Sequence, residues 1–184
     1  MWENGMRSRG AELVLKNFLP DAHVENVFQI QPEKLKEKGI KGVITDLDNT
    51  LVAWNKADMT PELLTWFNKL REAGIAVMIL SNNSKKRVRK FTGTSDVPYI
   101  FRALKPAGYG FRRAIREMGL KKDELIVVGD QIVTDIYGGN RLGMHTLLVI
   151  PIERNDAPAT KLNRMIERFL LSRMRRRGWL KWED

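Results

Sequence analysis

An α/β fold, with a mainly parallel sheet sandwiched between two helical layers, is predicted by three features of the sequence. Short β-rich runs alternate with amphipathic helical stretches between Gly42 and Ile150. That alternation implies strands joined by crossover helices and a sheet covered on both faces. The first of these runs, Gly42 to Thr45, ends abruptly in the carboxylates of Asp46 and Asp48. Polar residues gather after the later runs too, at Ser81 and Asp130, as they do where buried parallel strands meet a functional loop.

The elements follow in order. Arg9–Leu19 carries Leu13, Val14 and Phe18 at helical spacing before Pro20-Asp21, which predicts a short amphipathic helix packed on the body. Gly42–Thr45 is the first expected strand. Thr60-Pro61 supplies an N-cap and a proline at the first helical position. Leu63, Leu64, Phe67 and Leu70 then form one apolar face until Gly74 stops the helix. Next come a strand at Ala76–Leu80, a helix near Lys85–Phe91, a strand near Tyr99–Arg102 and a helix across Ala107–Met118. A strand at Leu125–Val128, a helix after Thr134 and a strand at Thr146–Ile150 complete a Rossmann-like pattern. From Thr160 to Trp182 the composition turns basic, with Leu162, Met165, Ile166, Phe169 and Leu170 as an apolar stripe. The pair Gly138-Gly139 suggests loop shape but no chemical role.

Composition narrows the function. A chain of 184 residues with 43% hydrophobic and 29% charged residues fits one domain, 1–184, with a substantial core. It has no cysteine and two histidines, His23 and His145, so a metal here is expected on carboxylates. No apolar stretch approaches the roughly 20 residues that span a bilayer. The N-terminus lacks the pattern of a secretory signal, so the expected location is cytoplasmic. A net charge of +10 points to an anionic partner: nucleic acid, anionic lipid or an acidic substrate.

Four motifs carry chemistry. In DLDNT, Asp46 and Asp48 sit two residues apart, so a loop opening after the strand turns both toward one pocket, where they can divide nucleophilic and acid/base work. Taken alone, the pattern also reads as turn chemistry. Ser81-Asn82-Asn83 after the next strand offers a hydroxyl and backbone amides to phosphoryl oxygens, or simply a helix cap. Lys105-Pro106 precedes a helix, where an ammonium can neutralise phosphate and carboxylates. GDQIVTD brings Asp130 and Asp135 to another strand end, with oxygen ligands that suit magnesium.

In this order, the four motifs resemble those of the haloacid dehalogenase (HAD) superfamily. More narrowly, FLPDAHV, KGIKGVITDLDNTLV, SNN, the KP pair, GDQIVTD and TKLNRMIERFLL are similar to the YqeG-type branch of HAD subfamily IIIA. The resemblance implies that Asp46 attacks phosphorus to form an aspartyl phosphate, and that Asp48 protonates the leaving oxygen and then activates water. It further implies that Thr50 shapes the first loop, that Ser81 and Asn82 bind the phosphoryl group, and that Lys105 offsets its charge. Mg2+ is implied on Asp46, the Asp48 backbone carbonyl and Asp130, with Asp135 supporting it directly or through water. Asp48, where the phosphoryl-transfer pumps of the superfamily have threonine, favours hydrolysis.

Neither Asn49–Leu80 nor Asn82–Leu104 is long enough to hold a large folded cap, so an open site is expected, with minimal or no cap. Such a site admits lipid headgroups, proteins or nucleic-acid ends. The YqeG-type branch is similar to mitochondrial phosphatidylglycerophosphate phosphatases, which implies an anionic lipid substrate. Soluble phosphomonoesters remain an alternative, and so does an RNA- or ribosome-binding role with a vestigial site. Nucleic acid is disfavoured by intact Asp46 and Asp48 and by the few aromatics, 8% of the chain. The basic run Lys85 to Lys90 reads equally as an anion attractor or a solvated helix face. The tail, with Arg164, Arg168, Arg173, Arg175, Arg176, Arg177, Trp179 and Trp182, suits an anionic membrane surface. Docking on the domain is the expectation for Leu162–Leu170, and peripheral contact with the inner face of the membrane for Arg173–Trp182.

Overall fold

The structure, a computed structural model, describes residues 15–56, 58–93, 95–153 and 161–179. Its six strands are β1 (Ala22–Val24), β2 (Gly42–Thr45), β3 (Ala76–Leu80), β4 (Tyr99–Ile100), β5 (Leu125–Gly129) and β6 (His145–Val149). They form one sheet in the order β1-β6-β5-β2-β3-β4, and every pairing is parallel. This is the Rossmann-like α/β architecture expected. The helices are α1 (Pro32–Glu37), α2 (Pro61–Glu72), α3 (Lys85–Thr92), α4 (Tyr109–Met118), α5 (Tyr137–Asn140) and α6 (Lys161–Arg176). A π-helical turn at Ile132–Ile136 leads directly into α5.

Alternating side chains on the central strands divide the core. Val43, Ile79, Ile126 and Val128 face a cluster built with Leu63, Phe67, Leu70, Val88 and Phe91 of α2 and α3. Ile44, Met78, Leu80, Leu125 and Val127 face Phe111 and Ala114 of α4. Strands buried on both sides need apolar residues at consecutive positions, which is why they read as unbroken hydrophobic runs.

Helix α2 begins as its sequence dictates, with the Thr60 hydroxyl accepting the Leu63 N–H at 3.2 Å and Pro61 in the first turn. Its buried face is Leu63, Trp66, Phe67 and Leu70; Leu64, expected inside, is 43% exposed. Trp66 takes the inner place, and its indole N–H donates to the Ile30 carbonyl at 3.3 Å. The segment before Gly42 also contributes more than expected, namely β1 and α1. β1 extends the sheet beyond β6, and Asn140 secures its approach by donating to the carbonyls of Asn17 and Leu19. The helix predicted over Arg9–Leu19 lies mostly outside the described residues; Phe18 stacks on Tyr137 at 4.3 Å.

Gly138 and Gly139 have a packing role. A Cβ on Gly138 would run into the Phe111 ring, and one on Gly139 into Thr146 and Val127. Only hydrogen at these positions lets α5 lie flat on the sheet.

Helix α6 corrects a further expectation. It buries Glu167, Leu170 and Met174, while Met165, Ile166 and Phe169 of the predicted stripe are exposed. Glu167 accepts the Val133 N–H of the π turn at 3.4 Å. Leu170 and Met174 pack against Ile132 of the same turn, which leaves the other apolar flank outward. Beyond Met174 the chain folds back and Trp179 packs with Ile132, Leu170 and Met174, so this tryptophan docks on the domain and does not project from it. Arg173, Arg175, Arg176 and Arg177 stay exposed. Trp182 and the side chains of Leu162 and Arg164 lie outside the described residues. No helix among the described residues is long and apolar enough to cross a membrane.

Candidate active site

The strand order reverses between β2 and β5, and ligands of open α/β sheets bind beyond the strand ends at such a switch point. Asp46 follows β2 and donates its backbone N–H to Val128 of β5 at 2.8 Å, while Asp130 follows β5 itself. Ser81 follows β3, its N–H held by the Ile100 carbonyl at 2.9 Å. The two strands nearest the switch point and their neighbour thus deliver Asp46, Asp130 and Ser81 to one edge.

Lys105 is drawn inward to the same place. Its ammonium lies 2.6 Å from Asp46 Oδ1 and 2.7 Å from Asp135 Oδ1, with all three groups buried. The chain reaches this position through Arg102 and Leu104, both at positive φ (47° and 56°), which costs non-glycine residues about 1 kcal/mol or more each. Asn82 holds the turn in place. Its side chain accepts the Lys105 N–H at 2.7 Å and donates to the Lys105 carbonyl at 3.0 Å. The Asn82 side chain therefore positions Lys105.

Asp46, Asp130 and Asp135 can each offer a carboxylate oxygen within 4.8 Å of the others. Three hard oxygen donors crowded against one ammonium carry excess negative charge, a donor set that fits a hard divalent cation. Burial pushes the Asp46 carboxyl up to about 7; Lys105 opposes the rise and the Asp135 carboxylate adds to it. For Lys105, burial alone works to lower the pKa, but the Asp135 and Asp46 carboxylates outweigh it and hold the ammonium charged. The Thr50 hydroxyl donates to Asp130 at 3.2 Å, tying the first loop to the end of β5. Asp135 accepts from the Gln131 N–H at 3.2 Å and the Thr134 hydroxyl at 3.3 Å. The π turn is what swings Asp135 back under Asp46.

Gly129 permits that approach. A Cβ there would overlap the Asp135 carboxylate and its own Cβ. Gly129→Ala is expected to push Asp135 out of the cluster and to weaken divalent-cation affinity roughly tenfold or more with the fold retained. Calorimetric titration with magnesium, beside circular dichroism, checks this.

Asp48 stands at the mouth, partly exposed, on a loop closed by Asn49 in the left-handed conformation (φ 66°). Asparagine tolerates that geometry well. Arg87 contacts Asp48 Oδ1 through Nη2 at 2.7 Å and Nε at 2.9 Å, and Asn83 Nδ2 donates to the other oxygen at 3.2 Å. The sequence named Asn83 in the motif after β3 and Arg87 in a basic run, but linked neither to Asp48. Arg87 sits within the basic run of α3, and the only local hint is its place in the first turn after the Ser84 cap. The other cations of that run are exposed.

A family model described as haloacid dehalogenase-like hydrolase matches residues 16–143, a span that includes every residue of this cluster. The chain belongs to that family. It is 49% identical over 172 residues to the probable phosphatase YqeG of Bacillus subtilis, covering 94% of this chain and 100% of that protein. Within the haloacid dehalogenase-like hydrolases it is thus a phosphatase of the YqeG type. It is also 32% identical over 171 residues to phosphatidylglycerophosphate phosphatase 1, chloroplastic/mitochondrial, of Arabidopsis thaliana; the match covers 87% of this chain but 49% of the plant protein, so it spans about half that relative. Among solved structures, an uncharacterized protein from Listeria monocytogenes serotype 4b aligns with a TM-score of 0.50 at 18% identity, covering 72% of this chain and 99% of that one. That last likeness concerns the fold alone.

Proposed function

We propose that this HAD hydrolase is a magnesium-dependent phosphomonoesterase that works through an aspartyl phosphate on Asp46, with phosphatidylglycerophosphate as its substrate. The observation that carries the chemistry is the buried Asp46, held 2.6 Å from Lys105 among Asp130 and Asp135, with Asp48 at the open mouth beside it. The name of the Arabidopsis relative supports the lipid substrate.

Asp46, Asp130, Asp135 and the Asp48 backbone carbonyl would hold the cation. When bound, magnesium supplies positive charge that offsets the repulsion between a carboxylate and a phosphate. The Asp46 carboxylate attacks phosphorus and the ester oxygen leaves, taking a proton from Asp48. The Asp48 carboxylate then takes a proton from water, which attacks the aspartyl phosphate, releases inorganic phosphate and frees Asp46. Ser81 Oγ accepts the Asn83 N–H at 3.0 Å, which leaves its hydroxyl proton for a phosphoryl oxygen. The Asn82 backbone amide and the Lys105 ammonium complete the phosphate cradle. Arg87 and Asn83 keep Asp48 oriented. On this reading the chain works at the cytoplasmic face of a membrane.

The test is phosphate release from phosphatidylglycerophosphate in mixed micelles beside a panel of nucleotides, sugar phosphates and a phosphoprotein, with magnesium and with chelator. Turnover strongest on the lipid and abolished by chelation is expected. Release from soluble esters alone would keep the phosphatase and discard the lipid. Release from none, with salt-sensitive retention of RNA, would point to a binding protein.

A further inference from the structure

Of the ten large apolar side chains that stand exposed among the described residues, five lie on the segments that follow the strands toward the catalytic edge: Trp54, Leu104, Ile150 and Ile152 on loops and Tyr109 at the start of α4. They form two patches, and backbone hydrogen bonds fix both to the site. On one side the Trp54 N–H donates to Asn49 Oδ1 at 3.2 Å and the Ile152 N–H to the Asn49 carbonyl at 3.0 Å, so both hang on the loop that carries Asp48. Ile150 leaves the sheet beside them, its N–H held by the Val24 carbonyl. On the other side, Leu104 immediately precedes Lys105 and is 63% exposed, and Tyr109 opens α4 at 64%. Gly110 ties that turn back to Ala103, whose N–H is held by the Ser81 carbonyl.

Apolar residues on a soluble surface need no explanation when scattered singly, but grouped around one opening they mark a contact surface. Cations stand among them. Lys56 is exposed on the first loop, Lys85 and Lys86 on the first turn of α3, and Arg102 two residues before Leu104. Acidic residues stand on the neighbouring loops as well, Glu25, Asp58 and Glu153, while Asp48 is paired with Arg87. Tryptophan, tyrosine and aliphatic tips interleaved with lysine and arginine have the chemistry of the bilayer interface, where rings and aliphatic groups enter the headgroup layer and cations meet lipid phosphate.

We propose that the catalytic edge is itself the membrane-docking face, seated on an anionic bilayer through these two patches so that the open mouth meets phosphate at headgroup level. The proposal builds on the lipid-phosphate reading above and assigns the contact to the loops, with the tail secondary. Docking then does what a cap does elsewhere. The bilayer covers the site, shields it from bulk solvent while leaving room for the water that the second step consumes, and presents the substrate.

The experiment is co-sedimentation of the full chain with phosphatidylcholine vesicles containing about 30% phosphatidylglycerol, against phosphatidylcholine alone. Native protein is compared with Leu104→Asn/Ile152→Asn and with Met165→Asn/Phe169→Asn, which alters the exposed flank of α6. Asparagine suits the positive φ of Leu104. Native protein is expected to pellet with the anionic vesicles, and the edge variant to lose about tenfold or more of that partition. Its hydrolysis of p-nitrophenyl phosphate stays within about twofold of native, which also shows that it folds. Native-like binding by the edge variant overturns the proposal. So does loss of binding confined to the α6 variant, absence of native binding, or a native dimer that the edge variant dissociates. Vesicle binding through the edge without release of lipid phosphate leaves the docking face standing and removes the substrate assignment. Micellar lipid hydrolysis without vesicle binding does the reverse.

Discussion

Asp46→Asn is expected to lower phosphate release by about ten-thousand-fold or more while the protein stays folded, because the nucleophile is lost and the amide keeps nearly the same shape. Acid quenching during turnover of a labelled substrate checks the mechanism directly: native protein retains label on Asp46 and the variant retains none. The same substitution has a pH signature in the metal-free protein. The Asp46 carboxyl, raised by burial to about 7 from an ordinary 3.8, holds a proton in the folded state that the unfolded chain releases. Stability from this group is therefore fully present below pH 3.8 and is lost as pH rises through about 7. The amide of the variant does not titrate. Relative to the variant, native protein should lose on the order of 2 kcal/mol between pH 5 and pH 8, read by denaturant unfolding in chelator. A divalent cation competes for the same oxygens, so magnesium affinity should weaken as pH falls below about 7. A flat stability difference across that range would contradict the burial argument.

Lys105→Met should be the most damaging change to the metal-free fold. Lys105 bridges two buried carboxylates at 2.6 and 2.7 Å, and methionine fills its volume without its charge. Breaking such a pair leaves uncompensated buried charge and costs about 3–5 kcal/mol. The loss should be smaller at pH 5, where Asp46 can take up a proton, than at pH 8. Saturating magnesium should restore much of the stability, since a divalent ion supplies the missing positive charge to the same carboxylates. Activity should nevertheless stay down by about a hundredfold or more with magnesium present, because the ammonium is also proposed to meet the transferring phosphate. Unfolding curves with and without magnesium, beside phosphate release, separate the two effects. Equal destabilisation with and without the metal would mean that the cluster is not a cation site.

How much of this was legible before folding depends on the range over which each feature is decided. The central strands were readable because burial on both faces writes itself as consecutive apolar residues, and α2 because its cap and its proline are neighbours in the chain; β1, short and only partly buried, was not. Asp46, Ser81 and Asp130 could be placed together because a strand end delivers a residue to the sheet edge wherever the strand lies, whereas Asp48, Lys105 and Asp135 were named by motif and reach the cluster through loops and the π turn. Local errors arose where a tertiary partner outranked periodicity. Leu64 gave way to Trp66, whose indole meets the Ile30 carbonyl, and α6 packs Leu170 and Met174 on Ile132, with Glu167 at the Val133 amide, leaving the rest of its stripe outward.

The sequence by itself therefore determined the fold class and the family, and it named the acidic and basic residues that the structure gathers at one sheet edge, since these depend on patterns a few residues long. Only the tertiary structure decided that Arg87 reaches Asp48 across 39 positions and that Asn82 steers Lys105. The same holds for Asp135 closing on Gly129 and for the apolar side chains that crowd around one mouth. Those contacts follow from strand order and from the paths of loops between strands. No local pattern encodes them, because each is set by the packing of segments distant in the chain.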